Sequence, residues 1–420
     1  MPTMQRSRFR NKLLVFLAVI GPGIITASVD NDAGGIYTYS VAGAQFGYSL
    51  LWTLIPITVA LIVVQEMVAR MGVVTGKGLA DLIREEYGFR TTFILMVVLL
   101  VANFGNTVSE FAGLASGAAV LHINRWVAVP LGALFVWTLV VRGTSRLVER
   151  VFLVACVFYV AYPLSGSLAH PDWTRALFET VKPTTRISQG ELYMIIGLVG
   201  TTIAPWMQFY LQSAVVEKNV PLEHYQYSKW DVIIGCLVTD MVAFFIIVAC
   251  AATIYISGHQ QIRDAGDAAM ALSPLAGPAA SNLFAFGLCN ASLFAACILP
   301  LATAYCVCEG LGFESGIDKS LREAPTFYIL FTALIIFGAL AVLVMPQHLQ
   351  VPVILLSQVA NGIILPFVLI FMLRLCNRED LMGPHRNTRA FNMIAWATCV
   401  IMIALTAALI VTSVRPELGA

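Results

Sequence analysis

Eleven apolar runs, near residues 13–45, 49–70, 91–120, 126–142, 147–168, 190–217, 231–257, 278–308, 325–345, 349–374 and 390–414, take up most of this 420-residue chain. A helix needs about 20 apolar residues to cross a bilayer. In lipid only helices and closed barrels satisfy every backbone polar group. Runs this long do not fit barrel strands, so the pattern predicts an all-α polytopic membrane protein with about eleven transmembrane helices. The composition fits: 59% of residues are hydrophobic and 12% charged, with a mean hydropathy of +0.82. That leaves too little polar surface for a soluble fold.

No Ser/Pro-rich linker, charge block or low-complexity stretch divides the chain, so residues 1–420 read as a single transmembrane domain. A formal net charge of +1 without a basic face argues against a nucleic-acid partner. The expected surroundings are the lipid bilayer, with no obligatory protein partner. Eight of the nine cysteines lie in apolar runs and none forms a CxxC pair. They read as small core residues, not disulfides. The basic stretch Met1 to Lys12 before an apolar run has the shape of a secretion signal, but ten further spans predict a retained first helix.

With the N-terminus placed in the cytoplasm, only Arg125, Arg175, Lys182, Arg186, Arg263 and Arg415 of the 25 Lys and Arg fall on the far side. The positive-inside rule then puts the N-terminus in the cytoplasm and the C-terminus outside, in a cell (inner) membrane.

The first run is too long for one straight crossing, and Val29-Asp30-Asn31-Asp32-Ala33-Gly34-Gly35-Ile36 interrupts it. One reading ends the helix at Val29 in an external turn. The other unwinds the helix midway, with Ala33 in the break. The sixth run carries a second interruption, Gly197-Leu198-Val199-Gly200-Thr201-Thr202-Ile203-Ala204-Pro205-Trp206, where Pro205 frees a backbone carbonyl. Interrupted helices at positions 1 and 6 match if spans 1–5 and 6–10 are an inverted repeat with a midplane site. The first repeat would cover about 13–168, the second about 190–374, with an extra helix at about 390–414. Unwound backbone offers carbonyl oxygens and Asp32 a carboxylate, hard ligands suited to Mg²⁺ or Mn²⁺. An unpaired acid at that depth is costly without a cation.

From Gly21-Pro22-Gly23 onward the first helix resembles that of the Nramp family of divalent-metal transporters, whose Asp-Pro-Gly-Asn motif falls where this chain has Asp32-Ala33-Gly34-Gly35. Span 2 and its loop, Gln65…Ala69-Arg70-Met71-Gly72…Thr75-Gly76…Leu79-Ala80, give the most specific match. Further matches are Ser109-Glu110-Phe111-Ala112-Gly113, Tyr305…Glu309-Gly310, Gln358-Val359 and Leu365-Pro366. The resemblance implies the 5+5 inverted-repeat fold with broken helices 1 and 6.

Carried over by position, Asp32 keeps the acidic ligand, Gly35 replaces an Asn, Ala204 replaces a Met, and Gln358 keeps an amide; Thr201 joins this metal set. The family's proton-path acid and histidine fall at Thr107 and Gln212. These losses resemble the Nramp-related magnesium transporters, which implies Mg²⁺ and Mn²⁺ transport without obligatory proton coupling. Removing a thioether and an amide also widens the site, and Mg²⁺ sheds its water reluctantly.

A second group along the cation path comprises Asp30, Gly34, Glu110, Thr202 and Gln208. Asp30 joins the site only if the chain is unwound. Glu110 alternatively pairs with a base, and Thr202 and Gln208 alternatively satisfy freed backbone groups. Asp240 reads as an interhelical polar contact. Glu66 and Arg70, spaced i,i+4, read as a surface pair. The six histidines (His122, His170, His224, His259, His348 and His385) fall in loops or at helix ends, against an imidazole proton relay.

The expected function is therefore alternating-access uptake of Mg²⁺ and Mn²⁺, with no cofactor beyond the transported ion. Rivals are a proton-coupled Mn²⁺/Fe²⁺ importer, a sodium-coupled organic-solute symporter and a channel. No HExxH or GxSxG motif is present to support an enzyme.

Overall fold

Helices begin and stop where Pro, Gly and short polar side chains dictate. The computed structural model describes residues 19–183, 188–258, 262 and 264–414. The stretch Met1 to Lys12, Arg186, His259, Arg263 and Arg415 lie outside that set. The first span is two pieces, α1 (Pro22–Ser28) and α2 (Ala33–Phe46). Pro22 starts α1, where its missing N–H costs nothing. Asp32 caps α2 by accepting the Gly35 N–H at 2.7 Å, and Gly47 ends it at φ 60°.

There follow α3 (Leu54–Thr75), α4 (Leu79–Val120), α5 (Arg125–Arg142), α6 (Ser145–Phe158) and α7 (Ala161–Leu168). The run at 91–120 is the membrane part of α4, joined at Gly88 (φ 79°) to a leading segment that begins at Leu79. The run at 147–168 is not one helix. Pro163 lacks an N–H and crowds the carbonyl of Tyr159 four residues earlier, where α6 gives way to α7.

The second half opens with α8 (Trp173–Val181), then α9 (Gln189–Thr202) and α10 (Pro205–Glu217), the two pieces of the sixth span. After them come α11 (Tyr225–Cys250), α12 (Ala265–Ala276), α13 (Pro278–Leu311), α14 (Pro325–Val344), α15 (Gln347–Asn377), the single turn α16 (Glu379–Met382) and α17 (Arg389–Val414). Among the described residues there are no strands, and ten helical stretches are long and apolar enough to span a bilayer. The paired halves of the first span make the eleventh.

Helix α13 forms the axis of the bundle, its apolar window 94% buried, whereas α5 and α17 bury only 22% of theirs and turn Leu131, Leu134, Phe135 and Val400 outward. Such apolar exposure belongs against lipid tails. The second long spine is α11, which holds both halves of the first span. An added Cβ on Gly23 would meet the Val232 nitrogen at 2.6 Å, and one on Gly235 would meet the Gly23 carbonyl at 2.8 Å. A Cβ on Gly43 would come within 2.3 Å of the Ile247 carbonyl. Small residues let these backbones touch, which is how helices associate without a hydrophobic driving force.

The pair Glu66–Arg70 is not on the surface. Both side chains are buried, 3.2 Å apart, under the turn that precedes α17. Arg70 also donates to the His385 carbonyl and the Asn387 amide oxygen, and Tyr225 donates to Glu66. The i,i+4 spacing gives the pair; tertiary cover removes it from water. All nine cysteines are free thiols.

Candidate functional site

The break in the first span is buried, not an external turn. Val29, Asp30, Asn31, Asp32, Ala33, Gly34 and Gly35 are all inside the protein. The chain leaves the α1 helix after Val29, whose N–H still reaches Ile25 at 3.1 Å, and re-enters helix at Ala33. Asp32 is spent partly on its own helix, through the Gly35 N–H. Asp30 turns the other way, accepting from the Tyr39 hydroxyl at 3.3 Å, while Tyr39 lies 2.9 Å from the Thr202 hydroxyl at the second break. Tyr39 thereby bridges the two interrupted spans.

Gly35 has a steric reason to be glycine. A Cβ there would lie 2.5 Å from the Asp30 carbonyl oxygen. With this backbone no side chain fits, so Gly35 offers close approach of backbone and not a ligating side chain. Gly34 lies beside it, its carbonyl accepting from Thr38 at 2.8 Å.

Glu110 reaches from α4 to accept the Ala33 N–H at 3.1 Å, and a Cβ on Gly113 one turn on would strike the Ala33 methyl at 2.4 Å. The Ser109 to Gly113 motif is thus the seat for the start of α2. Its acid helps to hold one of the orphan amides of a helix N-terminus.

At the second break, Ile203 and Ala204 leave helical conformation and Pro205 starts α10. Pro205 has no N–H to give the Thr201 carbonyl four residues before it, so that oxygen loses its helical partner. The Ala204 carbonyl is already engaged, by the Met207 N–H at 3.3 Å and the Gln208 amide at 3.2 Å. Gln208 also accepts from Gln65 at 3.2 Å. Its amide is therefore used on freed backbone and on span 2. The Thr202 hydroxyl reaches back to Leu198 at 2.8 Å. The side chains of Gln358 and Val359 lie outside the described residues.

At the position of the family's histidine, Gln212 donates to the Lys77 carbonyl at 2.8 Å, and Thr107 donates to Asn103 at 2.8 Å. Both are occupied in helix-to-loop or within-helix bonds. His122, His170, His224 and His385 lie in turns or next to helix ends. The side chain of His348 lies outside the described residues.

Four acids thus surround the break: Asp30, Asp32, Glu110 and Asp240. All are buried, and the charges bearing on Asp30 are those of Asp240 and Asp32, while Asp32 bears on Glu110. No described salt bridge reaches any of them. Asp30 Oδ1 and Glu110 Oε1 are buried with no hydrogen-bond partner, and Asp240, also buried, has the Thr58 hydroxyl as its side-chain partner. From sequence Asp240 reads as an interhelical polar contact, and its neighbourhood emerges only where α11 crosses the break. Thr239 fixes that crossing, donating to the Ala27 carbonyl and accepting from Asn31 at 3.1 Å.

Among the described residues no group of three or more His, Cys, Asp or Glu side chains is placed to hold a metal ion. Backbone carbonyls and the Tyr39 and Thr202 hydroxyls accompany the acids at the two breaks.

The family model described as natural resistance-associated macrophage protein-like (Nramp) matches residues 23–412. The chain belongs to the Nramp family. A curated relative, the divalent metal cation transporter MntH of Deinococcus radiodurans, is 28% identical over 400 residues, 93% of this chain and 88% of that protein. The MntH of Klebsiella pneumoniae is 29% identical over 423 residues, 98% of each chain. Solved structures of two point mutants of the Eremococcus coleocola manganese transporter superpose with TM-scores of 0.75 and 0.76 at 21% and 20% identity. They cover 93% and 96% of this chain, and 85% and 88% of theirs. Homologues and fold are those of an Nramp membrane transporter and not an enzyme, with the inverted-repeat arrangement that pairs the breaks at Asp32 and Pro205.

Proposed function

We propose that this Nramp chain is a secondary transporter that carries Mg²⁺, and with it Mn²⁺, into the cell by alternating access, without obligatory proton coupling. The observation that carries the reading is the set of four buried carboxylates around the first break with no described base beside them. Uncompensated buried charge is expensive, and a divalent cation compensates two at once. The relatives' names specify divalent metal cations and manganese, which supports the class of substrate.

The preference for Mg²⁺ rests on what the site offers. Ala204 stands at the position of a soft thioether, and Gly35 at that of an amide. The remaining ligands are carboxylates, carbonyls and water, the choice of a hard cation. Mg²⁺ keeps part of its hydration shell, so water completes a set with few direct protein ligands. Asp32, the Thr201 carbonyl and Gln358 are the proposed direct or water-mediated partners, with Glu110 holding α2 in register.

In the proposed cycle α1–α2 and α9–α10 move against the rest and open the midplane to each side in turn. The protein would sit in the cytoplasmic (inner) membrane with its N-terminus inside and C-terminus outside, its repeats covering about 13–168 and 190–374. A double charge moving inward gains about 4.6 kcal/mol per 100 mV, so the membrane potential alone can drive uptake.

Purified protein in liposomes containing Mg²⁺- and proton-sensitive dyes tests this. Saturable Mg²⁺ entry without lumenal acidification is expected. The relatives' manganese designation favours one rival, proton-coupled Mn²⁺ import, and Mn²⁺ entry that stops without a proton gradient would establish it instead.

A further inference from the structure

Where the end of α4 meets α5 and α13, the small residues Ala118, Ala128, Gly132 and Cys289 help to line a cavity of about 340 Å³, within the range of about 300–1,000 Å³ usual for small-molecule sites. Every lining residue is apolar, and water enters a cavity only where polar partners receive it. Gly132 seats α5 against both neighbours, since a Cβ there would lie 2.5 Å from Leu114 Cδ2 and 3.0 Å from Leu293 Cδ2. The mouth faces lipid: Val127, Leu131 and Phe135 are 50%, 60% and 50% exposed. They succeed one another at i, i+4 and i+8 down one face of α5, a stripe of about 12 Å given the helical rise.

The depth of this groove is fixed by α5 itself. Its 18 residues, Arg125–Arg142, rise about 27 Å, close to the roughly 30 Å of a bilayer's hydrocarbon core. The two terminal arginines therefore stand at the two interfaces, and the stripe runs inward from the Arg125 end. Trp126, 57% exposed, sits where aromatic belts form, with the Arg125 guanidinium 5.8 Å from its ring. Among the described residues Arg125 takes part in no ion pair. We propose that this groove is a phospholipid site, in which one acyl chain lies along the α5 stripe and Arg125 pairs with the phosphate of an anionic headgroup. An unmatched cation at headgroup depth with an apolar slot beneath it matches the two ends of one such molecule. A second copy of the chain, related by a twofold axis along the membrane normal, would instead bring its own Arg125 to the same depth, like charge facing like. The inference stands whichever cation the protein carries.

Purified full-length protein in phosphatidylcholine vesicles, with a trace of phosphatidylglycerol carrying a photoreactive diazirine at mid-chain, tests this. After illumination and proteolysis, mass spectrometry should find adducts concentrated on residues 121–135 and 285–293. Unlabelled phosphatidylglycerol should displace the probe better than added phosphatidylcholine, by roughly fivefold, the effect of one basic residue at an anionic surface. Ala128→Phe, which fills the groove, should remove these adducts and leave those elsewhere on the lipid-facing helices. Arg125→Gln should keep them and lose the preference for phosphatidylglycerol, a readout that survives if Ala128→Phe fails to fold. Adducts spread evenly over the outward helices, adducts unchanged in Ala128→Phe, or equal displacement by both lipids in wild type would overturn the site. So would the absence of adducts on these segments, the result if a second copy covers the groove.

Discussion

Asp231 on α11 accepts the backbone N–H of Gly23 at 2.7 Å and that of Gly21 at 3.1 Å, so a carboxylate from the seventh span closes the N-terminal end of the first. The Gly21-Pro22-Gly23 motif then has a physical meaning. Pro22 starts the helix, and Gly23 brings its backbone onto α11. Replacing Asp231 by Ala orphans these amides, at about 1–3 kcal/mol for each buried group left unpaired. A lower Tm and faster labelling of a cysteine introduced at Thr26 are expected; unchanged labelling would refute the clamp.

Asp32→Ala should abolish Mg²⁺ entry into liposomes while the protein stays monodisperse. Glu110→Gln keeps an acceptor for the Ala33 amide, so it should preserve the fold and weaken transport less than Asp32→Ala does. Full Mg²⁺ flux in Asp32→Ala would remove Asp32 from the site.

Gly35→Ala and Gly35→Asn should both reduce Mg²⁺ flux, by roughly tenfold or more, since each Cβ must displace the Asp30 carbonyl from 2.5 Å. Displacing backbone costs on the order of 1–3 kcal/mol, and a factor of ten corresponds to about 1.4 kcal/mol. If Asn, but not Ala, were tolerated, the position would be a ligand position and not a clearance.

Ala204→Met should shift selectivity toward softer metals, read as Cd²⁺ or Mn²⁺ competing better against Mg²⁺ uptake. The thioether supplies the soft donor that the break now lacks. An unchanged competition profile would mean that residue 204 does not face the ion.

Arg70→Met strands the Glu66 carboxylate beneath the turn before α17, a loss of about 3–5 kcal/mol for a buried pair broken on one side. The double variant Arg70→Met with Glu66→Gln should recover much of that loss in thermal unfolding. A single variant as stable as wild type would contradict the buried latch.

The sequence makes the spans and their two interruptions readable because each is a local conflict: acids and glycines inside Asp30–Gly35, a proline inside Thr201–Trp206. It makes the family readable through the Gln65 to Ala80 segment. What it conceals is long-range. The cap from Asp231 to Gly23 joins residues 208 apart, and no local pattern announces it. Asp30 and Asp240 each look like an isolated polar residue until Thr239 locks α11 across the break. The Glu66–Arg70 pair shows the same limit: spacing reveals the partners, while the cover from Asn387 and Tyr225 comes from elsewhere.

The dependence of α1 and α2 on α11 also has a consequence for biosynthesis. Each half is too short to cross a bilayer, and the break between them carries acids that lipid does not accommodate. Synthesis runs at about 5–20 residues per second, so Asp231 emerges roughly 10–40 s after Gly23. During that interval the nascent first span has neither its cap nor its packing surface, and the insertion machinery must shelter Asp30 and Asp32 until the seventh span arrives.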